Sequence, residues 1–83
     1  MILKRLLRME YIGKEIYYTN KHNKKRLKAN VIDETKNTFI IVIGKKRKRI
    51  LKEEVIVEVP LKGKLFKIDG KKLIGRPEER VKR

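Results

Sequence analysis

Short apolar runs separated by Gly, Asn, Asp and Pro fill the chain between Glu15 and Ile74, and this punctuation leaves room only for short strands. Glu15-Ile16-Tyr17-Tyr18-Thr19 is aromatic and β-branched and stops at Asn20, which predicts a strand followed by a polar loop over residues 20–25. Leu27, Ala29 and Val31 then alternate with Arg26, Lys28 and Asn30, the period of a strand with one buried face and one wet, basic face. Thr35-Lys36-Asn37 reads as a tight connection in which Asn37 can take a positive φ. Thr38–Ile43 is continuously apolar and predicts a strand buried on both faces. Gly44-Lys45 suits a hairpin with glycine at the first central position, leading into a strand over Lys46–Lys52. Val55, Val57 and Val59 alternate with Glu54, Ile56 and Glu58, and Pro60 ends that strand. Leu61-Lys62-Gly63 turns the chain, and Asp69-Gly70 between Leu65–Ile68 and Lys71–Ile74 has the form of a further hairpin.

The two ends follow a different period. In residues 1–9, Leu3, Leu6 and Leu7 share one helical face, with Lys4, Arg5 and Arg8 largely opposite. So short a helix needs a surface to dock on, its own domain's or a partner's. Arg76-Pro77-Glu78-Glu79 places proline and acids where a second short helix can start, with Arg80, Lys82 and Arg83 beyond. The expected organisation is one domain over 1–83: a helical segment over 1–10, a barrel over 11–75 and a short helix over 76–83. Isolated hairpins are not stable, whereas a sheet closed on itself buries the most from short strands and removes exposed edges. The expected fold is therefore all-β: a small, strongly bent antiparallel barrel of six or seven strands. Strand count leaves the SH3, Sm and OB types open.

Charge narrows the function. The chain has 25 Lys and Arg against 10 Asp and Glu, a net charge of +15 over 83 residues. A compact domain so charged repels itself, and a polyanion relieves that repulsion. Nucleic acid is the first candidate and an anionic membrane surface the second. A surface merely enriched in lysine would carry matching glutamate, which this one lacks. Eleven of the 25 cations fall in two acid-free segments: Lys21, Lys24, Lys25, Arg26 and Lys28, then Lys45, Lys46, Arg47, Lys48, Arg49 and Lys52. A solvated face interleaves its signs, so these segments are candidate phosphate-binding surfaces. No apolar run approaches the roughly 20 residues that span a bilayer, and the N-terminus is not expected to be a signal peptide. Cysteine is absent, which removes disulfides and thiolate metal ligands and fits a reducing, cytoplasmic setting.

The sequence holds no recognisable constellation for protein-borne catalysis. His22 is the single histidine, sits in a lysine-rich loop with no neighbouring carboxylate in sequence, and reads as a solvated side chain. No Cys/His spacing suits zinc. Asp33 and Glu34 are adjacent, so an extended strand sends them to opposite faces; a turn-forming Asp33, or an acid pairing with a nearby lysine, is the default. The glycines do not form a phosphate-cradling loop. Catalytic residues, metal ligands and a protein-bound cofactor are accordingly not expected.

Two stretches carry a resemblance. Val31-Ile32-Asp33-Glu34-Thr35-Lys36-Asn37-Thr38-Phe39 resembles a "VVDET-x-NT-L" motif, and Asp69-Gly70-Lys71-Lys72-Leu73-Ile74-Gly75-Arg76-Pro77-Glu78-Glu79-Arg80 resembles a "G-x-x-L-x-GRPE-x-R" motif. Both belong to archaeal ribonuclease P protein component 1, and they occur in the right order and at the usual separation. The resemblance covers residues 10–83. Relatives often carry glycine where this chain has Arg26 and Ala29.

The resemblance implies an Sm-like barrel in the ribonucleoprotein endonuclease that removes 5′ leaders from precursor tRNA and leaves 5′-phosphomonoester ends. In that family the RNA subunit is the catalyst, with Mg2+ expected for its chemistry. The protein pairs with a zinc-ribbon subunit to support the RNA, beside other ribonuclease P proteins, and meets precursor tRNA only indirectly. Carried onto this sequence, Leu3, Leu6 and Leu7 form a candidate partner face. Candidate RNA contacts are Lys24, Lys25, Arg26 and Lys28; Lys45, Lys46, Arg47, Lys48 and Arg49; and Lys71, Lys72, Arg76 and Arg80 of the C-terminal motif. Lysines act as point charges, whereas Arg47, Arg49, Arg76 and Arg80 can grip phosphate bidentately. Tyr11, Tyr17 and Tyr18 cluster near one strand, leaving few stacking aromatics. Phosphate-dominated recognition of a folded RNA is expected, not base-by-base reading of a single strand. Ribosomal or other Sm-like RNA binding is the alternative, and a peptide-binding SH3-type barrel is a further rival that the sparse aromatics disfavour.

Overall fold

In the computed structural model, which describes residues 2–75, helix α1 (Ile2–Arg8) precedes six strands: β1 (Glu15–Asn20), β2 (Arg26–Glu34), β3 (Thr38–Ile43), β4 (Lys46–Leu51), β5 (Val55–Leu61) and β6 (Lys64–Asp69). One-turn 3-10 helices follow β4 (Lys52–Glu54) and β6 (Gly70–Leu73). The strands form one antiparallel sheet in the order β4-β3-β2-β1-β5-β6. It wraps a single core that includes Ile16, Tyr18, Val31, Phe39, Ile41, Val57 and Leu73, giving the all-β, barrel-like fold. Among the described residues the wrap is not closed by strand pairing. β4 and β6 are the ends of the sheet, and each leaves one backbone edge without a strand partner among the described residues.

The turns follow from local chemistry. Gly44 takes φ +60, the conformation needed at the first central position of the β3–β4 hairpin. Lys62 and Gly63, at φ 50 and φ 79, make the two-residue turn between β5 and β6. Asn37 does not take positive φ. The Thr35 and Thr38 hydroxyls, 2.5 Å apart, brace that turn instead, and the Asn37 carbonyl accepts the Lys52 N–H at 2.9 Å.

Three further expectations are corrected. Thr38–Ile43 is buried on one face only: Phe39 and Ile41 are in the core, and Thr38, Ile40 and Val42 are half-exposed. Pro60 does not end its strand. Pairing with β1 spans only Val55 to Glu58, so Pro60, which lacks an N–H, continues β5 with β6 alone beside it. Asp69-Gly70 is not a hairpin and Lys71–Ile74 is not a seventh strand. Asp69 Oδ1 accepts the Lys71 N–H at 2.9 Å and caps the second 3-10 helix. Gly70 packs so closely that a Cβ would collide with the Lys52 carbonyl oxygen and lie 2.8 Å from that of Val55.

A β-bulge between Val31 and Asp33 changes the phase of β2. Val31 is buried, Ile32 and Asp33 both face outward, and Glu34 returns inward opposite Phe39. There Glu34 Oε2 accepts from Lys52 Nζ at 2.7 Å, with Glu34 6% and Lys52 0% exposed. Lys52 Nζ also donates to the carbonyls of Thr35 (2.8 Å), Gly75 (3.0 Å) and Lys36 (3.3 Å). Lys52 thus leaves the basic surface cluster in which its sequence neighbours place it. Ile50 already points inward, Leu51 is still extended, and Lys52, which opens the 3-10 helix two residues after Ile50, points to the same side.

α1 docks on its own domain. Leu6 is in the core and Leu7 packs against it. The buried Tyr11 hydroxyl donates to the Leu6 carbonyl at 2.8 Å, fixing the helix end.

Candidate nucleic-acid interface

The two basic segments end up in different electrostatic states. Most of the first is tied to the chain's own carboxylates. Lys21 Nζ donates to Asp69 Oδ1 at 2.6 Å and to the Glu53 carbonyl at 2.9 Å. Arg26 Nε donates to Glu58 Oε1 at 2.8 Å, and its guanidinium lies 4.2 Å from the centre of the Tyr17 ring. Lys28 stands 3.7 Å from Glu15. The hydrogen bonds from Arg26 and Lys21 hold the Glu58 and Asp69 carboxyls below their ordinary values. Lys24 and Lys25 remain on the β1–β2 loop. Asn20 Oδ1 shapes that loop by accepting the N–H groups of His22 (2.8 Å) and Asn23 (3.2 Å), and Asn23 Oδ1 accepts that of Lys25 (2.9 Å). His22 is therefore a member of a turn.

The second segment keeps its charge. Lys45, Lys46, Arg47, Lys48 and Arg49 are all exposed, and none joins an ion pair among the described residues. β4 is the end strand of the sheet, so these cations line an open edge. The register divides them between faces. Arg47 and Arg49 pair with Val42 and Ile40 on the outer face. Lys46 and Lys48 pair with Ile43 and Ile41, which puts them on the inner face at the mouth of the wrap. The hairpin thus presents positive charge on both sides at once, a shape suited to a phosphate backbone passing over an edge.

The remaining candidates are more scattered. Lys71 and Lys72 are exposed on the second 3-10 helix, remote in sequence from the hairpin. Arg76 and Arg80, with the helix expected over 76–83, lie outside the described residues, as does the side chain of Leu3. Of the expected partner face, Leu6 is spent on the chain's own core and Leu7 is half-buried. Among the described residues no group of three or more His, Cys, Asp or Glu is placed to hold a metal, and no helix is long and apolar enough to cross a membrane.

A cleft of about 320 Å3 lies between β4 and the start of β5 and was not foreseen from sequence. Tyr18, Leu27, Ile50 and Val55 contribute its apolar surface, while Lys25 and Lys48 lie along it. No sequence pattern marks it, because four strands and a loop supply its walls.

Comparison with known proteins agrees with this architecture. Residues 4–83 match the family model for the ribonuclease P/MRP subunit p29. The chain is 40% identical over 81 residues to ribonuclease P protein component 1 of Methanocaldococcus jannaschii, covering 94% of this chain and 85% of the relative. It is 40% identical over 84 residues to the Thermofilum pendens protein of the same name, covering 96% and 89%. The Methanosphaera stadtmanae protein of that name is 37% identical over 81 residues, covering 94% and 87%. An all-β wrap with a basic edge and full-length matches of this kind leave one assignment: the chain belongs to the ribonuclease P/MRP p29 family and is a ribonuclease P protein subunit of the archaeal type.

Proposed function

We propose that this subunit holds the RNA of ribonuclease P through the β3–β4 hairpin and contributes no reacting group. The observation that carries the reading is the contrast between the clusters: three of the five cations in the first are paired with carboxylates, while Lys45–Arg49 offers five cations that join no ion pair among the described residues. Each phosphate such a cation neutralises releases counterions, so affinity falls with salt at about 0.7–0.9 log units per phosphate. Five contacts give a loss of about 10²–10³-fold between 50 and 200 mM salt. Lys24, Lys25, Lys71 and Lys72 extend the footprint, and Arg26 and Lys28 join at reduced strength because a carboxylate already holds each.

In this reading the RNA cleaves the 5′ leader of precursor tRNA with Mg2+, and the product carries a 5′-phosphomonoester. A zinc-ribbon subunit pairs with this chain in the cytoplasmic particle. In this reading the N-terminal segment with Leu3 and Leu7 contributes to that contact. The decisive experiment is reconstitution of precursor-tRNA cleavage with the wild-type chain and with Lys46→Glu, Arg47→Glu and Lys48→Glu combined. The triple variant is expected to fold, to lose RNA affinity and to leave cleavage at the level of RNA without this subunit. Unchanged affinity and cleavage in a folded triple variant would refute the proposal.

A further inference from the structure

The cleft at the mouth of the wrap has features that an edge made only for phosphates does not need. Tyr18 lies in it, 3% exposed, and its hydroxyl is buried without a hydrogen bond to any described residue. A buried hydroxyl without a partner costs free energy unless a ligand supplies one. Burial pushes the phenol pKa up, so at neutral pH the group stays protonated and able to donate. Leu27, Ile50 and Val55 give an apolar surface beside it. The side-chain oxygens of Asn20 and Asn23 are occupied by the loop's own N–H groups, which leaves their NH2 groups as donors along the wall. Glu54 adds an acceptor, and Lys25 and Lys48 add positive charge. At about 320 Å3 the space sits at the lower end of the roughly 300–1,000 Å3 range of small-ligand pockets.

We infer that this cleft is a subsite for one unstacked nucleotide of an RNA strand, its base on the apolar surface beside Tyr18 and its phosphate toward Lys25 and Lys48. The inference rests on the reading that the β3–β4 hairpin binds RNA, and it adds a base-sized pocket to a surface otherwise expected to see only backbone. An apolar floor with a few fixed polar groups favours a planar heterocycle. The basic wall disfavours a cationic guest and favours one that carries a phosphate. A base can enter only once it has left its stack, so the ligand comes from a bulge, loop or single-stranded junction.

The test titrates isotope-labelled protein with single-stranded homopolymer ribo-oligonucleotides about five nucleotides long, and separately with a blunt-ended RNA duplex and with inorganic polyphosphate. The expected result is that at least one single strand shifts the methyl resonances of Leu27 and Val55, the two methyl-bearing cleft residues that lie outside the β3–β4 hairpin. The duplex and polyphosphate should move only signals of the β3–β4 hairpin. Tyr18→Phe should weaken that oligonucleotide by about 3–10-fold, the worth of one hydrogen bond, with duplex affinity unchanged. The variant should be no less stable than the wild type, because the lost hydroxyl bonds to nothing described in the free protein. Cleft shifts produced equally by polyphosphate, or an ineffective Tyr18→Phe, would overturn the subsite. Duplex binding with a steep salt response and silent cleft methyls would sink the subsite alone and leave the RNA reading standing. No binding of strand or duplex would remove both.

Discussion

Lys52 is a lysine within a run of surface lysines by sequence and a core residue by structure, and Lys52→Met separates the two roles. Methionine keeps most of the length and removes the charge. The wild-type ammonium has Glu34 Oε2 at 2.7 Å, three backbone carbonyls within 3.3 Å and the Phe39 ring at 4.9 Å. Breaking a buried ion pair from one side costs about 3–5 kcal/mol. Small domains have about 5–15 kcal/mol in all. At about 4–8 °C per kcal/mol for a chain of this size, Tm should fall by about 12–40 °C. Thermal and urea unfolding followed by circular dichroism measure it. Glu34→Leu added to Lys52→Met should recover part of the loss, since it removes the carboxylate but leaves the carbonyls short of a donor. The folded fraction should keep the wild-type salt slope for RNA. A stability loss under about 1 kcal/mol, the range of exposed ion pairs, or a double variant no better than the single one, would refute the buried-staple account.

Other outcomes follow from the same geometry. Lys48→Ala should lower the salt slope of RNA affinity by about 0.7–0.9, measured by fluorescence anisotropy over a salt series, whereas Arg26→Ala should lower it less because Glu58 already holds that guanidinium. Gly70→Ala should cost at least the roughly 1–3 kcal/mol of an overpacked core, read from urea midpoints, since the new methyl meets two backbone oxygens. The Asp69 carboxyl is held below its ordinary 3.8, mainly by the Lys21 hydrogen bond. A lowered folded-state value means the stabilisation is present above about pH 4 and is lost as pH falls through the folded value. Asp69→Asn should therefore flatten the acid limb of the stability profile below about pH 4 while costing little at neutral pH, where the pair is half-exposed.

The strands were legible because β2 and β5 alternate, because β1 and β3 are rich in β-branched and aromatic residues, and because glycine at Gly44 and Gly63 sits where a positive φ closes the turn. Asp69-Gly70 misled because an aspartate that starts a hairpin turn also caps a helix, and the choice depends on what packs behind. Here Gly70 sits against the Lys52 and Val55 carbonyls, contacts made by residues distant in sequence. The same limit hid the Lys52–Glu34 pair. Glu34 faces inward only because of the bulge after Val31, which no local pattern announced. Parity with Ile50 was the one available signal for Lys52, and the surrounding run of cations masked it. The basic edge itself was readable as charge. Which of its members are free was not, since that depends on carboxylates brought in from β1, β5 and β6.

An unpaired strand edge invites a second copy of the same chain to add a strand. On β4 that invitation is withdrawn by electrostatics: two such edges brought side by side would set four positive charges against four. The residues proposed to bind RNA therefore also keep free subunits apart, and the protection lasts only while the charges stand uncompensated. Small polyanions that neutralise the edge without covering it remove the repulsion and leave the backbone groups exposed. Stored alone, the protein is best kept free of small polyanions; on the proposed reading, an RNA that cancels the charge also covers the edge.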